Sequence, residues 1–181
     1  MSKFIFVRHG QSKGNAESWI ARPDTPLTEL GLQQARKTGQ DLKGMSIKTI
    51  VCSNMKRAQQ TAEIIAGELG IPVNHIQIID ELHERRFPSL EGKPKTHESL
   101  WYFQTDEDDV EQRIDLIKRM KKALQKIKKL AEKEKVLVVA HGCSGFYMLE
   151  IAEGKEHFDD FKELRLMNNA DYIEVELSND L

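Results

Sequence analysis

The unbroken run Phe4-Ile5-Phe6-Val7 most limits what this chain can fold into. Four consecutive aromatic or aliphatic residues leave no polar face, so they read as a strand buried on both sides. The run stops at Arg8-His9-Gly10, where a cation, an imidazole and a glycine follow one another as strand gives way to loop. In an open α/β sheet, ligands bind in the crevice beyond the carboxyl ends of the strands. Gly10 lets the backbone turn or approach a ligand closely, and Arg8 offers a fork of donors suited to phosphate or carboxylate. His9 can act as acid, base, nucleophile or metal ligand. Taken alone, these three residues are equally compatible with a polar strand end.

The remaining elements follow in order. Pro23-Asp24-Thr25-Pro26 is a turn, and Thr28 reads as the N-cap of a helix to about Leu42, with Leu27 and Leu32 as a hydrophobic staple. Thr49-Ile50-Val51-Cys52 is a second short apolar strand, ending at Ser53-Asn54. Met55, Ala58, Ala62, Ile65 and Leu69 share one helical face, closed by Gly70 and Pro72. Val73 to Ile79 is a third strand candidate, and residues 80–107 have no period and predict loop with short helical turns. Val110, Ile114, Ile117, Met120, Leu124, Ile127 and Leu130 predict one long amphipathic helix, with acids at its start and lysines at its end. Spaced around an apolar stripe, those lysines form a solvated face rather than a nucleic-acid patch. Val136 to Ala140 is a fourth buried strand, Ser144 to Ala152 a helix, and Asp171 to Leu177 alternates like a final strand.

Strands alternating with helices predict a three-layer α/β/α sandwich with a mostly parallel sheet. With 181 residues and no linker, one domain over 1–181 is expected, carrying a loop/helix insertion at about 93–133. A net charge of -2 gives no general attraction to nucleic acid or membrane. The two cysteines, Cys52 and Cys143, read as free thiols of a reducing compartment. The first strand starts too early for a signal peptide, and no apolar run approaches a membrane-spanning length. A cytoplasmic monomer or homodimer is expected.

Two further strand ends echo the first. The fourth strand runs into His141-Gly142, and the second ends at Ser53, four residues before Arg57 in the opening turn of the next helix. Parallel strands would bring Arg8, His9, Arg57 and His141 to one edge of the sheet. Two guanidinium groups, two imidazoles and a helix N-terminus together suit a dianionic phosphate.

These segments carry a resemblance. Arg8-His9-Gly10 with Ser12 and Asn15, then Pro26-Leu27-Thr28-Glu29-Leu30-Gly31 with Gln34-Ala35, resembles the opening of the histidine phosphatase superfamily, which has the phosphoglycerate mutase-like fold. Ser53 through Arg57-Ala58 to Thr61-Ala62 is similar to its second signature, and Ala140-His141-Gly142 to its third. Leu82-His83-Glu84, followed by Phe87 and Leu90-Glu91-Gly92, is similar to the segment bearing the family's acidic residue. Four ordered motifs are far more specific than any one.

The resemblance implies a phosphomonoesterase acting on a small phosphorylated metabolite without metal or other cofactor. His9 would attack phosphorus in line to give a phosphohistidine, and cations nearby would keep it neutral. Arg8, Arg57 and a cationic His141 would hold the phosphoryl oxygens, with Gly10, Asn15 and Gly142 also at the substrate. Glu84 would protonate the departing alkoxide and then activate water, with Glu81 as the alternative acid. Arg85 or Arg86 would grip a substrate carboxylate. Pro88 and Leu90 stand where the phosphatases usually have glycine and tryptophan, which leaves the path of that loop open. None of the six histidines makes a tight metal-ligand pattern, and His75, His83, His97 and His157 read as surface residues. Cys143 is open to two readings, an oxidant-sensitive thiol or an inert buried one.

The link from Gly92 to Val136 is mostly spent on one helix. That favours a phosphatase over a mutase, which must shield its phosphohistidine from water. A cofactor-dependent phosphoglycerate mutase, a protein phosphatase and a non-catalytic phosphate-binding domain are the alternatives.

Overall fold

The computed structural model describes residues 2–96, 106, 108–155 and 167–178. A five-stranded sheet with the order β3-β2-β4-β1-β5 lies at its centre. The strands are β1 (Lys3–Arg8), β2 (Thr49–Cys52), β3 (Gln77–Ile78), β4 (Val136–Ala140) and β5 (Tyr172–Glu176). All neighbours pair in parallel except β5, which runs antiparallel beside β1. The helices are α1 (Lys13–Ala16), α2 (Glu29–Asp41), α3 (Lys56–Leu69), α4 (Arg113–Ala131) and α5 (Cys143–Ala152).

The apolar runs occupy the middle of the sheet because both of their faces are covered. Phe4, Phe6, Val136 and Val138 face one core with Leu116, Met120 and Leu124 of α4 and Tyr147 and Met148 of α5. Ile5, Val7, Leu137 and Val139 face the other, with Ala58, Ala62 and Ile65 of α3 and with Leu42 just beyond α2. The period-2 geometry of a strand divides each run between two helical layers. The α/β/α sandwich read from the sequence is the fold observed.

Element boundaries differ in two places. The strand expected over Val73 to Ile79 pairs only at Gln77–Ile78, because Pro72 leads into a 3-10 turn over Val73–His75. Helix α4 starts at Arg113, where Asp106 Oδ1 accepts the Arg113 N–H at 2.8 Å and so caps it from outside the helix. Val110 therefore leaves the helical stripe to pack with Ile20 and Phe87, and Ile114 is 57% exposed. Residues 97–105 and 107 of the expected insertion, with His97, lie outside the described residues, as does His157. No helix among the described residues is long and apolar enough to cross a membrane.

Two glycines lock the loop after β1 against the start of α2. A Cβ on Gly10 would stand 2.5 Å from the Gly31 carbonyl oxygen, and one on Gly31 would stand 2.1 Å from that of Gln11. The same Gln11 oxygen accepts the Thr28 N–H at 2.9 Å, while the Thr28 hydroxyl caps α2 by accepting from the Gly31 N–H at 3.1 Å. No side chain fits between these backbones, so Gly31→Ala is expected to cost about 2–3 kcal/mol of stability. Gly67, exposed in α3 with open space where a Cβ would stand, is the control. There Gly67→Ala is expected to stabilise by about 0.5–1 kcal/mol. Urea unfolding of both variants checks the contrast, and similar midpoints would refute it.

Candidate active site

Parallel register sets Arg8 opposite Ala140 and Cys52 opposite Val139, so β1, β4 and β2 end side by side. Ladder hydrogen bonds continue one step further, from His9 N–H to Ala140 O and from Ser53 N–H to Val139 O, each 3.0 Å. His9 and His141 thus leave neighbouring strands together, their ring centroids 5.1 Å apart at 62°. His9, His141, Ser53 and Arg57 are all buried.

Hydrogen bonding defines the state of His9. Arg57 Nε–H donates to His9 Nε2 at 3.2 Å, and arginine has nothing to accept with, so Nε2 carries the lone pair. Nδ1 then carries the hydrogen, given to the Gly10 carbonyl at 2.7 Å. Burial first, and the Arg57 charge second, hold this imidazole well below its ordinary value of 6.5. His9 is a neutral base whose bare nitrogen faces a guanidinium.

His141 does not match the cation expected. Its Nε2 lies 2.8 Å from Ser53 Oγ and its Nδ1 is buried without a partner. Burial and the nearby Arg57 drive its pKa well below 6.5. The charges that act on the ring, Arg57 first and Arg119 less strongly, are both positive, so a second proton is disfavoured and the imidazole is neutral.

The two arginines converge from different elements. Arg57, in the first turn of α3, donates from Nη1 to the Arg22 carbonyl at 3.0 Å. Burial lowers its pKa to about 10, which leaves it charged at neutral pH. Arg8 donates from Nη1 to the Met167 carbonyl, and its Nε is buried without a partner. Its guanidinium lies against Gly142, where an added Cβ would sit 3.4 Å from the guanidinium carbon. Gly10 is tied in through its N–H to Thr61 Oγ1 at 3.1 Å, and Thr61 in turn donates to the Arg57 carbonyl at 2.7 Å.

Glu84 occupies the N-terminus of α5. Its oxygens accept from Cys143 N–H at 3.1 Å, Ser144 N–H at 2.7 Å and Arg85 N–H at 3.0 Å. The free N–H groups and dipole of the helix therefore orient a carboxylate of the protein itself. From there its charge opposes the loss of the Arg8 and Arg57 protons. Glu81 instead pairs with Lys126 at 2.7 Å on the surface of α4. Of the two candidate acids, Glu84 is the one among the site's cations.

Other expected residues lie differently. Arg85 does not reach toward a substrate as the sequence predicts; its side chain is fully buried, donating to the Glu111 carbonyl at 2.9 Å and pairing with Asp106 at 3.0 Å. Those internal partners compensate the charge and hold it away from any ligand. Arg86, 41% exposed, pairs with Glu91 at 2.7 Å. Asn15 Oδ1 accepts from Ser12 N–H at 3.0 Å and from Ser12 Oγ at 2.8 Å, closing the capping box whose N-cap, Ser12, starts α1 at the rim of the site. His83 is half-buried rather than on the surface, with Nδ1 2.7 Å from the Glu84 carbonyl. Leu90 packs on Ile20, Phe87 and Val110, a small apolar cluster that anchors the loop after Glu84. Burial pushes the Cys52 thiol up to about 12 and the Cys143 thiol well upward, which suits inert buried thiols.

Two residues at the site carry no motif. Asn169 Nδ2 donates to the His9 carbonyl at 3.1 Å, 160 residues away in sequence. Arg8 N–H donates to Asp171 O at 3.1 Å, and Ala170 N–H to Arg8 O at 3.0 Å, so the 167–171 turn grips the end of β1. Lys95 adds a third cation whose charge reaches His9, and burial and Arg8 lower its own pKa. Nothing local in the sequence marks either residue. No group of three or more potential metal ligands occurs among the described residues.

Buried neutral imidazoles make stability depend on pH. Unfolding frees His9 and His141 to bind protons near 6.5, which the folded chain does not do until well below that value. Stability is therefore full above 6.5 and declines as pH falls below it, by up to about 1.4 kcal/mol per pH unit for each histidine. Urea midpoints between pH 7.5 and 5.5 should fall accordingly, and His141→Asn should flatten the slope. A pH-independent midpoint would contradict the neutral assignment.

Comparison with known proteins agrees with this geometry. The family model described as "Histidine phosphatase superfamily (branch 1)" matches residues 4–180. A Bacillus subtilis protein called uncharacterized phosphatase PhoE is 32% identical over 169 residues, covering 93% of this chain and 85% of that one. A Serratia proteamaculans protein called probable phosphoglycerate mutase GpmB is 31% identical over 181 residues, covering 93% and 82%. The solved structure of Bacillus stearothermophilus YhfR superposes with a TM-score of 0.85 at 26% identity, covering 99% and 93%. A match running nearly end to end, on a sheet that gathers the same strand-end motifs, makes this chain a member of the histidine phosphatase superfamily with the phosphoglycerate mutase-like fold.

Proposed function

We propose that the protein hydrolyses a small phosphorylated metabolite, without a metal ion, through a phosphohistidine on His9. The observation that carries this reading is the unprotonated Nε2 of His9, held against Arg57 by a hydrogen bond that fixes the tautomer. A neutral imidazole oriented by a neighbouring backbone carbonyl is a competent nucleophile. As its lone pair forms the N–P bond, the P–O ester bond breaks and the electron pair leaves with the alcohol oxygen. Glu84, having taken a proton from the bound phosphate monoester monoanion, passes it to that oxygen. Water then attacks phosphorus, gives its proton to the Glu84 carboxylate and returns the N–P electron pair to His9.

Charge in the transition state falls on the three equatorial oxygens. Arg57 can exchange its contact with Nε2 for one of them as that nitrogen bonds phosphorus. Arg8 Nε and His141 Nδ1 are buried groups lacking protein partners, and a phosphoryl group would satisfy both. Ser53 Oγ accepts the Met55 N–H at 3.2 Å, which frees its own hydrogen for His141 Nε2 and leaves the imidazole hydrogen on Nδ1. Guanidinium groups thus supply the positive charge that a metal would otherwise bring. Burial of Arg85 removes the residue best placed in sequence to grip a mutase substrate's carboxylate, which favours hydrolysis over transfer.

The purified protein is expected to release phosphate from p-nitrophenyl phosphate in excess EDTA and to be inhibited by vanadate. His9→Ala should lower kcat by about 10⁴-fold or more, as loss of a covalent nucleophile does. Arg57→Ala should lower it by about 10²–10³-fold. Retained turnover in His9→Ala, or a strict metal requirement, would sink the reading. Faster conversion of 3- to 2-phosphoglycerate than phosphate release would favour the mutase.

A further inference from the structure

The segment that presents Glu84 has no regular secondary structure beyond a 3-10 turn at Asp80–Leu82, yet its carboxylate is aimed at the N-terminus of α5. Something must hold the backbone on either side. Arg119, one-third of the way along α4, donates from Nη1 to the carbonyls of Glu81 at 2.6 Å and His83 at 2.7 Å. Its other two nitrogens meet the Glu111 carboxylate, Nε at 2.5 Å and Nη2 at 2.8 Å. Glu111 then accepts the Arg86 N–H on Oε2 at 3.2 Å, and its backbone pairs with Arg86 at 3.0 Å and with the Arg85 side chain at 2.9 Å. Arg119 and Glu111, through side chains and the Glu111 backbone, thus grip the segment at residues 81, 83, 85 and 86, two before and two after the acid.

We infer that Arg119, through Glu111, is the positioning residue for the general acid. The inference rests on Glu84 being that acid, as proposed above. Both side chains of the pair are nearly buried, Arg119 at 11% and Glu111 at 14% exposure, so solvent scarcely weakens the bidentate contact. Arg119 spends its hydrogen bonds on this loop and on Glu111, and none of them goes to the two imidazoles or to Arg8 and Arg57. Its grip therefore acts on the step that needs a proton on the leaving oxygen, while its charge, which also reaches His141, is retained in Arg119→Lys. A planar guanidinium suits this task because it can bind two carbonyls and a carboxylate at once, which an ammonium group cannot do in fixed geometry.

The test is leaving-group dependence. For an alkyl phosphate the departing alkoxide needs a proton, whereas p-nitrophenolate leaves without one, and kcat/KM reports the step in which His9 is phosphorylated. Arg119→Met should lower kcat/KM for the alkyl phosphate by about 10²-fold and for p-nitrophenyl phosphate by less than about threefold, the difference being the share of rate that a placed acid supplies. Because Arg119→Met strands a buried carboxylate and can unfold the chain, Arg119→Lys is the second variant, with a selective loss of about tenfold. Glu84→Gln is measured beside them. Selective loss in Glu84→Gln with unselective or no loss in both Arg119 variants overturns the positioning role and leaves the acid standing. No selectivity in Glu84→Gln removes the acid from Glu84, and the positioning role with it.

Discussion

Parallel pairing of β1 with β4 sets Phe4 opposite Val136 and Arg8 opposite Ala140, and the site exists only in that register. A slip of one residue would move His9 by about 3.3 Å along the sheet and turn it to the opposite face. The apolar runs forbid the slip, because every residue from Phe4 to Val7 is matched to one of two helical layers. The packing that stabilises the core is thereby the same constraint that aligns the imidazoles of His9 and His141.

Burial keeps those imidazoles neutral, and the positive charge concentrated beside them reinforces it. Arg8, Arg57 and Lys95 all lose part of their hydration there, as their lowered proton affinities reflect. Backbone carbonyls of Arg22 and Met167 and the carboxylate of Glu84 offset that cost in part. Glu84 acts on all three cations, Asp171 also on Arg8 and Glu91 also on Arg57, so what suits a dianion here is the set of donors aimed at it rather than a bare surplus of charge. Neutral imidazoles add no further charge beside these cations while remaining able to donate and to attack.

Support for the site comes from segments that bear no motif. The 167–171 turn holds Arg8 and His9 through backbone hydrogen bonds and Asn169. Helix α4 holds the Glu84 loop through Arg119 and Glu111. Both elements combine core packing with polar contacts at one end. An irregular loop can therefore carry a fixed carboxylate because a regular helix grips its carbonyls.

Much was legible in the sequence, because strand burial and helix capping are set by nearest neighbours in the chain. The runs at 4–7, 49–52 and 136–140, the Thr28 cap and the Gly70 terminus all follow from local residue types, and with them the strand ends where Arg8, His9 and His141 lie. Interactions between distant segments were not legible. Arg85 turned inward because Asp106 and the Glu111 carbonyl, 21 and 26 residues away, compensate its charge. His141 is neutral because folding removes its water and sets Arg57 nearby. Asn169 and Arg119 act through carbonyls, which every residue carries and no sequence pattern marks. Periodicity along the chain decided the layers and strand ends, whereas charge compensation and backbone capture are properties of space and were decided only when the segments met.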